Sequence, residues 1–314
     1  MVDWDNLVSR AFYATYRGAN SPVLNHASFP TNAIATSAKM LRNVISLVKP
    51  TRVILALDGG SAYRRGFFPE YKAKRKPKPE YLTQQLPVTY SIVKDAGVEF
   101  LHRDGEEGDD LIMTLANRAK GLRGVEVFVA SHDKDFSQVV AENIIWLRPE
   151  TGGWERVDSA GVVAKFGVPP SMMVSYLAMV KDVADNTPGI AGIGPVNAVR
   201  LLADSPSFEV LSARVAEEKG WPLERATTEL ALNHKLIRFH EIAGLATEHG
   251  ANLDGAIEKL EQLDCMEAVG IWRRIVEDFG GSRRPAPPPA SPSPAAAAAP
   301  PVKPKTVQSE LTFA

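Results

Sequence analysis

Cysteine is nearly absent from this chain. Cys265 is the one cysteine in 314 residues, which excludes an internal disulfide and any cysteine-cluster zinc site. Long apolar runs are missing as well. The longest, such as Val53–Leu57 and, apart from Glu126, Val125–Ala130, are strand-sized and far too short to span a bilayer. No basic stretch leads into an apolar one at the N-terminus, which argues against a secretory signal. Charge of one sign is not in excess either: 36 Lys and Arg against 37 Asp and Glu leave a net charge of −1. These absences point to a reducing cytoplasm and no membrane contact. What remains, 45% hydrophobic and 23% charged, is the composition of a soluble globular protein with a sizeable core and one or two domains.

The average charge conceals a strong separation. Residues 64–78 carry seven basic side chains (Arg64, Arg65, Lys72, Lys74, Arg75, Lys76, Lys78) against Glu70, whereas residues 104–110 carry five acids and no base. Such a chain can build a basic track and an acidic pocket side by side.

Apolar spacing predicts a helix over 31–48, then a buried strand over 52–57 that ends at Asp58-Gly59-Gly60. Helix and strand then alternate: helix 80–96, strand 98–101, helix 109–120, strand 125–130, helix 134–140, strand 144–147. That order predicts an α/β fold with a mostly parallel central sheet flanked by helices, whose ligands sit beyond the carboxyl ends of the strands. From about Ser159 the strand signals stop and helices are expected, interrupted by the glycine-rich turn Gly189–Gly194. Residues Pro285–Lys305, almost entirely Pro, Ala and Ser, cannot bury a core and read as an extended linker.

Acids recur at five places: Asp3 and Asp5; Asp58; Glu106, Glu107, Asp109 and Asp110; Asp133 and Asp135; Asp182 and Asp185. Glu107 and Asp110, like Asp182 and Asp185, are spaced to share a helix face. A single acid near a helix start is usually a cap. Five segments that each bring acids to one end of a sheet are different, because crowded carboxylates repel unless a cation compensates. Oxygen-only ligands suit Mg²⁺ or Mn²⁺, and two such ions can stabilise both the attacking and the leaving oxygen in phosphodiester hydrolysis. His102, His132 and His234 have no metal-ligand spacing and read as structural or surface residues.

In order and spacing these segments resemble the 5′-nuclease family, the flap endonucleases and the 5′-nuclease domain of bacterial DNA polymerase I. The matching stretches are Asp3 with Arg10-Ala11-Phe12; Asp58-Gly59 with Arg65 and Tyr71-Lys72-Ala73-Lys74-Arg75; Gly105-Glu106-Glu107-Gly108-Asp109-Asp110; Ser131-His132-Asp133-Lys134-Asp135 with Gln138; and Asp182 through Gly194. The resemblance implies a PIN/5′-nuclease-like fold with a C-terminal helix-hairpin-helix region, and a stand-alone, monomeric enzyme cutting DNA at 5′ flaps, branches or 5′ ends. It implies that Asp3, Asp58, Glu107, Asp109, Asp110, Asp133, Asp135, Asp182 and Asp185 bind two or more Mg²⁺ or Mn²⁺ ions. Lys72, Arg75 and Arg10 would contact the scissile phosphate. Arg65, Lys74, Lys76 and Lys78 would hold DNA along a helical arch near 64–95, and Gly189, Gly192 and Gly194 would hold duplex phosphates and K⁺.

The expected domains are an α/β nuclease domain over 1–158, a helical DNA-binding region over 159–280, a linker over 281–307 and a peptide over 308–314. In that peptide Gln308, Leu311 and Phe313 resemble the short motif by which replication proteins dock on a sliding clamp. The chain departs from the family at its start: only Met1 and Val2 precede Asp3 where a complete strand is expected, so the strand is cut short or the start lies upstream. Trp4 replaces a small residue, and Asp5 adds an acid. Two other readings stay open, a DNA-binding protein of the same fold that lost cleavage, and a phosphatase-like hydrolase using Asp-x-Asp with Mg²⁺. The second leaves the basic segment and the 189–194 turn unexplained.

Overall fold

In a computed structural model of the chain, the residues described are 1–16, 24–203, 205–250 and 252–279. The linker 281–307 and the peptide with Gln308, Leu311 and Phe313 lie outside them.

Seven strands form one sheet in the order β6-β5-β4-β1-β2-β3-β7. They are β1 (Val2–Asp3), β2 (Ile54–Ala56), β3 (Glu99–Leu101), β4 (Val127–Ala130), β5 (Ile144–Glu150), β6 (Gly153–Val157) and β7 (Glu248–His249). The five inner strands run parallel, and the two edges, β6 on β5 and β7 on β3, are antiparallel. Alternate side chains of a strand point to opposite faces. Accordingly Ile54, Ala56, Val127, Val129, Ile144 and Trp146 enter one core, while Leu55, Leu57, Ala130, Ile145 and Leu147 enter the other. Strands covered on both faces read as unbroken apolar runs, which is why they were legible.

One face is covered by α1 (Trp4–Thr15), α2 (Asn32–Val48), α4 (Glu80–Asp95), α11 (Leu253–Gln262) and α12 (Met266–Phe279). The other carries α5 (Gly108–Ala119), a 3₁₀ turn over Lys134–Val139, α7 (Met173–Met179), α8 (Pro195–Ala203), α9 (Phe208–Lys219) and α10 (Leu223–Ile237). Two short helices, α3 (Ala62–Phe67) and α6 (Ser159–Phe166), complete the set. The helices predicted over 31–48, 80–96 and 109–120 appear within a residue or two of those bounds.

Two expectations need correcting. Strands do not stop at Ser159, because β7 returns to the sheet edge beside β3. The helices after β6 bury the same two sheet faces as those before it. The 134–140 segment is 3₁₀, not α-helical.

β1 is two residues long, yet it pairs with β2 on one side and β4 on the other. That suffices to set Asp3 at the centre of the sheet's carboxyl edge. Trp4 finds its space against the last helix: it is 1% exposed and packs edge-on to Trp272 at 6.0 Å. Burying a side chain of that size contributes on the order of 2–3 kcal/mol.

Among the described residues no single helix is long and apolar enough to cross a membrane.

Candidate metal centre

Asp3 ends β1 and caps α1, with Oδ1 accepting the Asn6 N–H at 3.1 Å. Its Oδ2 accepts the Ser131 hydroxyl at 2.7 Å. Ser131, at the end of β4, also accepts the Asp133 N–H at 3.1 Å, so one hydroxyl ties two acidic turns together. Asp133 caps the 3₁₀ turn, accepting the Asp135 N–H at 2.9 Å. The pKa of Asp109, in the first turn of α5, is pushed well above the usual carboxylate range by burial and by the charges of Asp3 and Asp133. Burial, opposed by its two hydrogen bonds and reinforced by Asp5 and Asp133, pushes Asp3 up to about 7. Burial and Asp133 push Asp135 up to about 8.

A second set closes from the loop after α7. Asp182 accepts the Ala184 N–H at 2.8 Å and the Lys134 ammonium. Burial opposes its charge, but these donors hold it below the ordinary range. Asp185 accepts the Tyr71 hydroxyl at 3.2 Å and pairs with Arg75. The basic segment is docked on this loop through its backbone: the Lys72 N–H donates to the Asp185 carbonyl at 2.9 Å, with Lys72 at φ 57°, and Asn186 donates to the Glu70 carbonyl at 2.9 Å. The Lys72 ammonium consequently reaches Glu107.

The donor set fits hard divalent cations. Carboxylates of Glu107, Asp109, Asp135 and Asp185 line an enclosure of about 10 Å³ that Met113, Leu236 and Ile237 close on its apolar side, the scale of one water or ion. The Asp135 Oδ1 is buried there without a hydrogen-bond partner. Beside it opens a cleft of about 520 Å³ bordered by Arg75, Asp133, Lys134, Asp182 and Asp185. Among the described residues no three acidic or imidazole groups already stand at ligating geometry; the positive charge within the cluster comes from Lys72, Arg64, Arg75 and Lys134.

Placement differs from expectation at several residues. Asp110 does not face the cluster. It is fully buried and turned onto Arg64, with Nη2 to Oδ1 at 3.0 Å and a second bond from Nη1, and it accepts the His240 N–H at 2.8 Å. Arg65, expected to hold DNA, is exposed on α3, while its neighbour Arg64 is the residue drawn inward. All five Arg64 N–H donors are used, on Glu107, twice on Asp110, and on the carbonyls of Leu236 and Arg238. A helix turns 100° per residue, and spacing alone does not say which of two adjacent arginines faces in. Asp58 is exposed at the end of β2. Arg10 lines a separate cleft with Met40, Asn43, Pro149 and Trp154, and its charge, with that of Arg148 and partial burial, lowers the pKa of His132. Lys74, Lys76 and Lys78 are exposed.

The turn Gly189–Gly194 joins α7 to α8. Gly189 has φ 61°, and a Cβ there would lie 2.5 Å from the Lys181 N, so only glycine fits. The Ile190 N–H donates to the Met179 carbonyl at 2.8 Å and Asn233 to the Gly189 carbonyl at 2.9 Å, which fixes the turn on α7 and α10.

Residues 1–167 match the family model described as the 5′-3′ exonuclease, N-terminal resolvase-like domain. A 5′-3′ exonuclease of Aquifex aeolicus is 34% identical over 243 residues, covering 76% of this chain and 81% of the relative. DNA polymerase I of Mycobacterium tuberculosis is 31% identical over 254 residues, 79% of this chain and 27% of that longer protein. Among solved structures, a T5 5′-exonuclease with divalent metal ions (zinc) bound superposes with a TM-score of 0.59 at 16% identity, covering 88% of this chain and 98% of the other. Flap endonuclease-1 from Methanococcus jannaschii gives a TM-score of 0.59 at 16% identity, covering 88% and 92%. At that identity these likenesses establish the fold.

Proposed function

Because the chain belongs to the 5′-3′ exonuclease family, we propose that it hydrolyses phosphodiester bonds of DNA at 5′ ends and 5′ flaps, using two Mg²⁺ or Mn²⁺ ions. The observation that supports this best is the convergence of acids from four separate segments. Asp3 and Asp133 share the Ser131 hydroxyl, Glu107 and Asp109 line one enclosure with Asp135 and Asp185, and Asp133, Asp135, Asp182 and Asp185 border the adjoining cleft. Asp3, Asp109, Asp133 and Glu107, with Asp58 at the rim, would hold one ion; Asp135, Asp182 and Asp185 would hold the other. When bound, the ions supply charge stabilisation to the attacking and leaving oxygens. Asp110 belongs to the site as the anchor of Arg64, which in turn orients Glu107.

Lys72 and Arg75 are aimed into the cleft by the 182–186 loop, where a phosphate can take over from Glu107 and Asp185 as their partner. Arg10 would meet the substrate from its separate cleft. Arg65, Lys74, Lys76 and Lys78 would track the DNA backbone. Gly189, Gly192 and Gly194 would offer backbone N–H groups to duplex phosphates and carbonyls to K⁺, contacts that position DNA without reading its sequence.

Labelled flap, nicked, blunt and RNA-primed substrates, incubated with Mg²⁺, Mn²⁺ or chelator, test the reading. Metal-dependent release of 5′ products is expected, and no cleavage of any substrate with either ion would overturn it. The proposal extends to a monomer in a reducing cytoplasm and to sliding-clamp docking through Gln308, Leu311 and Phe313, a tether that would raise the effective concentration of enzyme at DNA. Deleting residues 308–314 should leave cleavage of short oligonucleotides unchanged and abolish clamp binding in a titration.

A further inference from the structure

Asp5 is an acid that neither the cap of α1 nor the metal cluster requires. Asp3 caps the helix, and an acid in a first turn is ordinarily a solvated partner of the helix dipole. Asp5 is not solvated: its side chain is 17% exposed. Its Oδ2 accepts the backbone N–H of Asp58 at 3.0 Å and the hydroxyl of Tyr90, whose oxygen also lies 3.4 Å from the Asp58 carbonyl oxygen. The Lys78 ammonium stands 3.8 Å from Oδ1. One carboxylate thus joins the end of β1, the turn after β2 and the helix α4.

The Asp58 turn is gripped from its other side as well. The Gly59 N–H donates to the Glu106 carbonyl and the Gly105 N–H to the Gly59 carbonyl, at 2.9 and 2.8 Å. A Cβ at Gly59 would lie 1.9 Å from the Arg103 carbonyl oxygen. The backbone of Asp58 is therefore fixed by Asp5 and Tyr90 on one flank and by 103–106 on the other, while its own carboxylate stays exposed, with Oδ1 accepting the Gly60 N–H at 3.3 Å. Tyr90 sits on α4, the far leg of the basic arch, and Lys78 sits just before that helix.

We propose that Asp5 and Tyr90 are positioning residues for Asp58, and that this pair fastens the far leg of the arch to the metal site. It rests on the reading of Asp58 as a metal ligand. Groups that orient a ligand from behind typically change metal affinity by about 10–100-fold when removed, and two groups acting through one turn should not multiply their effects.

The test is Mn²⁺ binding to the full chain, followed by calorimetry and by electron paramagnetic resonance, for the wild type, Asp5→Asn, Tyr90→Phe, the double variant and Asp58→Asn. One Mn²⁺ site is expected to weaken about tenfold in each single variant and by about the same factor in the double variant. Asp58→Asn should remove that site, and melting temperatures should fall by no more than about 4 °C. Isotherms of Asp5→Asn and Tyr90→Phe that overlay the wild type overturn the positioning role, as does a double variant whose loss is the product of the singles. A wild type that binds no Mn²⁺ overturns the metal-site reading itself, and this role with it.

Discussion

At the scale of single residues, Arg64 is the group on which most of the buried charge depends. It is 5% exposed and neutralises Glu107 and Asp110 while closing two backbone carbonyls of 236–238. Removing one partner of a buried pair leaves an uncompensated charge, at about 3–5 kcal/mol. Arg64→Met should therefore lower unfolding free energy by that amount in urea titrations. Arg64→Lys should recover only part of it, because an ammonium cannot reproduce the planar five-donor fork. The raised carboxyls predict a pH dependence of opposite sense to ordinary acid denaturation. Asp3 at about 7 and Asp135 at about 8 lie above the 3.8 of the unfolded chain. Between those values these two groups bind more protons in the folded chain than in the unfolded one. Their contribution to stability is therefore fully present below about pH 4 and is lost as pH rises through about 8, whereas that of Asp182, held low, is lost as pH falls. Thermal melts in chelator should show that decline, and saturating Mg²⁺ should flatten it by compensating the ionised acids. A decline that Mg²⁺ leaves untouched would place the cause elsewhere.

At the scale of elements, the segment between α3 and α4 carries the chemistry of the arch. Its base is fixed by Lys72 and Asn186 to the 182–187 loop, whereas Lys74, Lys76 and Lys78 remain exposed. Such lysines release counterions when they meet phosphate, each contributing about one unit to the salt dependence of binding. The triple alanine variant should lower the slope of log affinity against log salt by about 3; an unaltered slope would put the DNA track elsewhere. The elements most legible in the sequence were those with strong apolar periodicity, α2, α4 and α5, and the inner strands. β6 was not legible, because Gly153-Trp154-Glu155-Arg156 is a mostly polar edge with no apolar run. β7 was not legible either, since two residues, Glu248 and His249, become a strand only through pairing with Glu99 and Phe100.

At the scale of the whole described unit, the sheet and the later helices are interdependent. α12 packs on α1 and α2 through Trp272, and α7 through α10 share a core with β2, β4 and β5. A fragment ending at residue 158 would expose both apolar faces, so it should be aggregated or unfolded by circular dichroism and one-dimensional NMR. A soluble, cooperatively melting fragment would show that the α/β part folds alone.

The sequence by itself determined the alternation of inner strands and helices, the mostly parallel type of the sheet and its carboxyl edge as the place where acids recur, because periodicity and turn chemistry are local properties of the chain. The partner of each charge it left open. Whether Asp110 faces an ion or Arg64, whether Arg64 or Arg65 points inward, and whether Asp5 is solvated or locked under Tyr90 depend on which elements meet. Contacts such as Asp5 with Tyr90, 85 residues apart, or Arg64 with Arg238, 174 apart, exist only once the sheet has brought distant segments together. Only the tertiary structure decided them, since the cost of burying a charge is settled by what surrounds it and not by its neighbours in sequence.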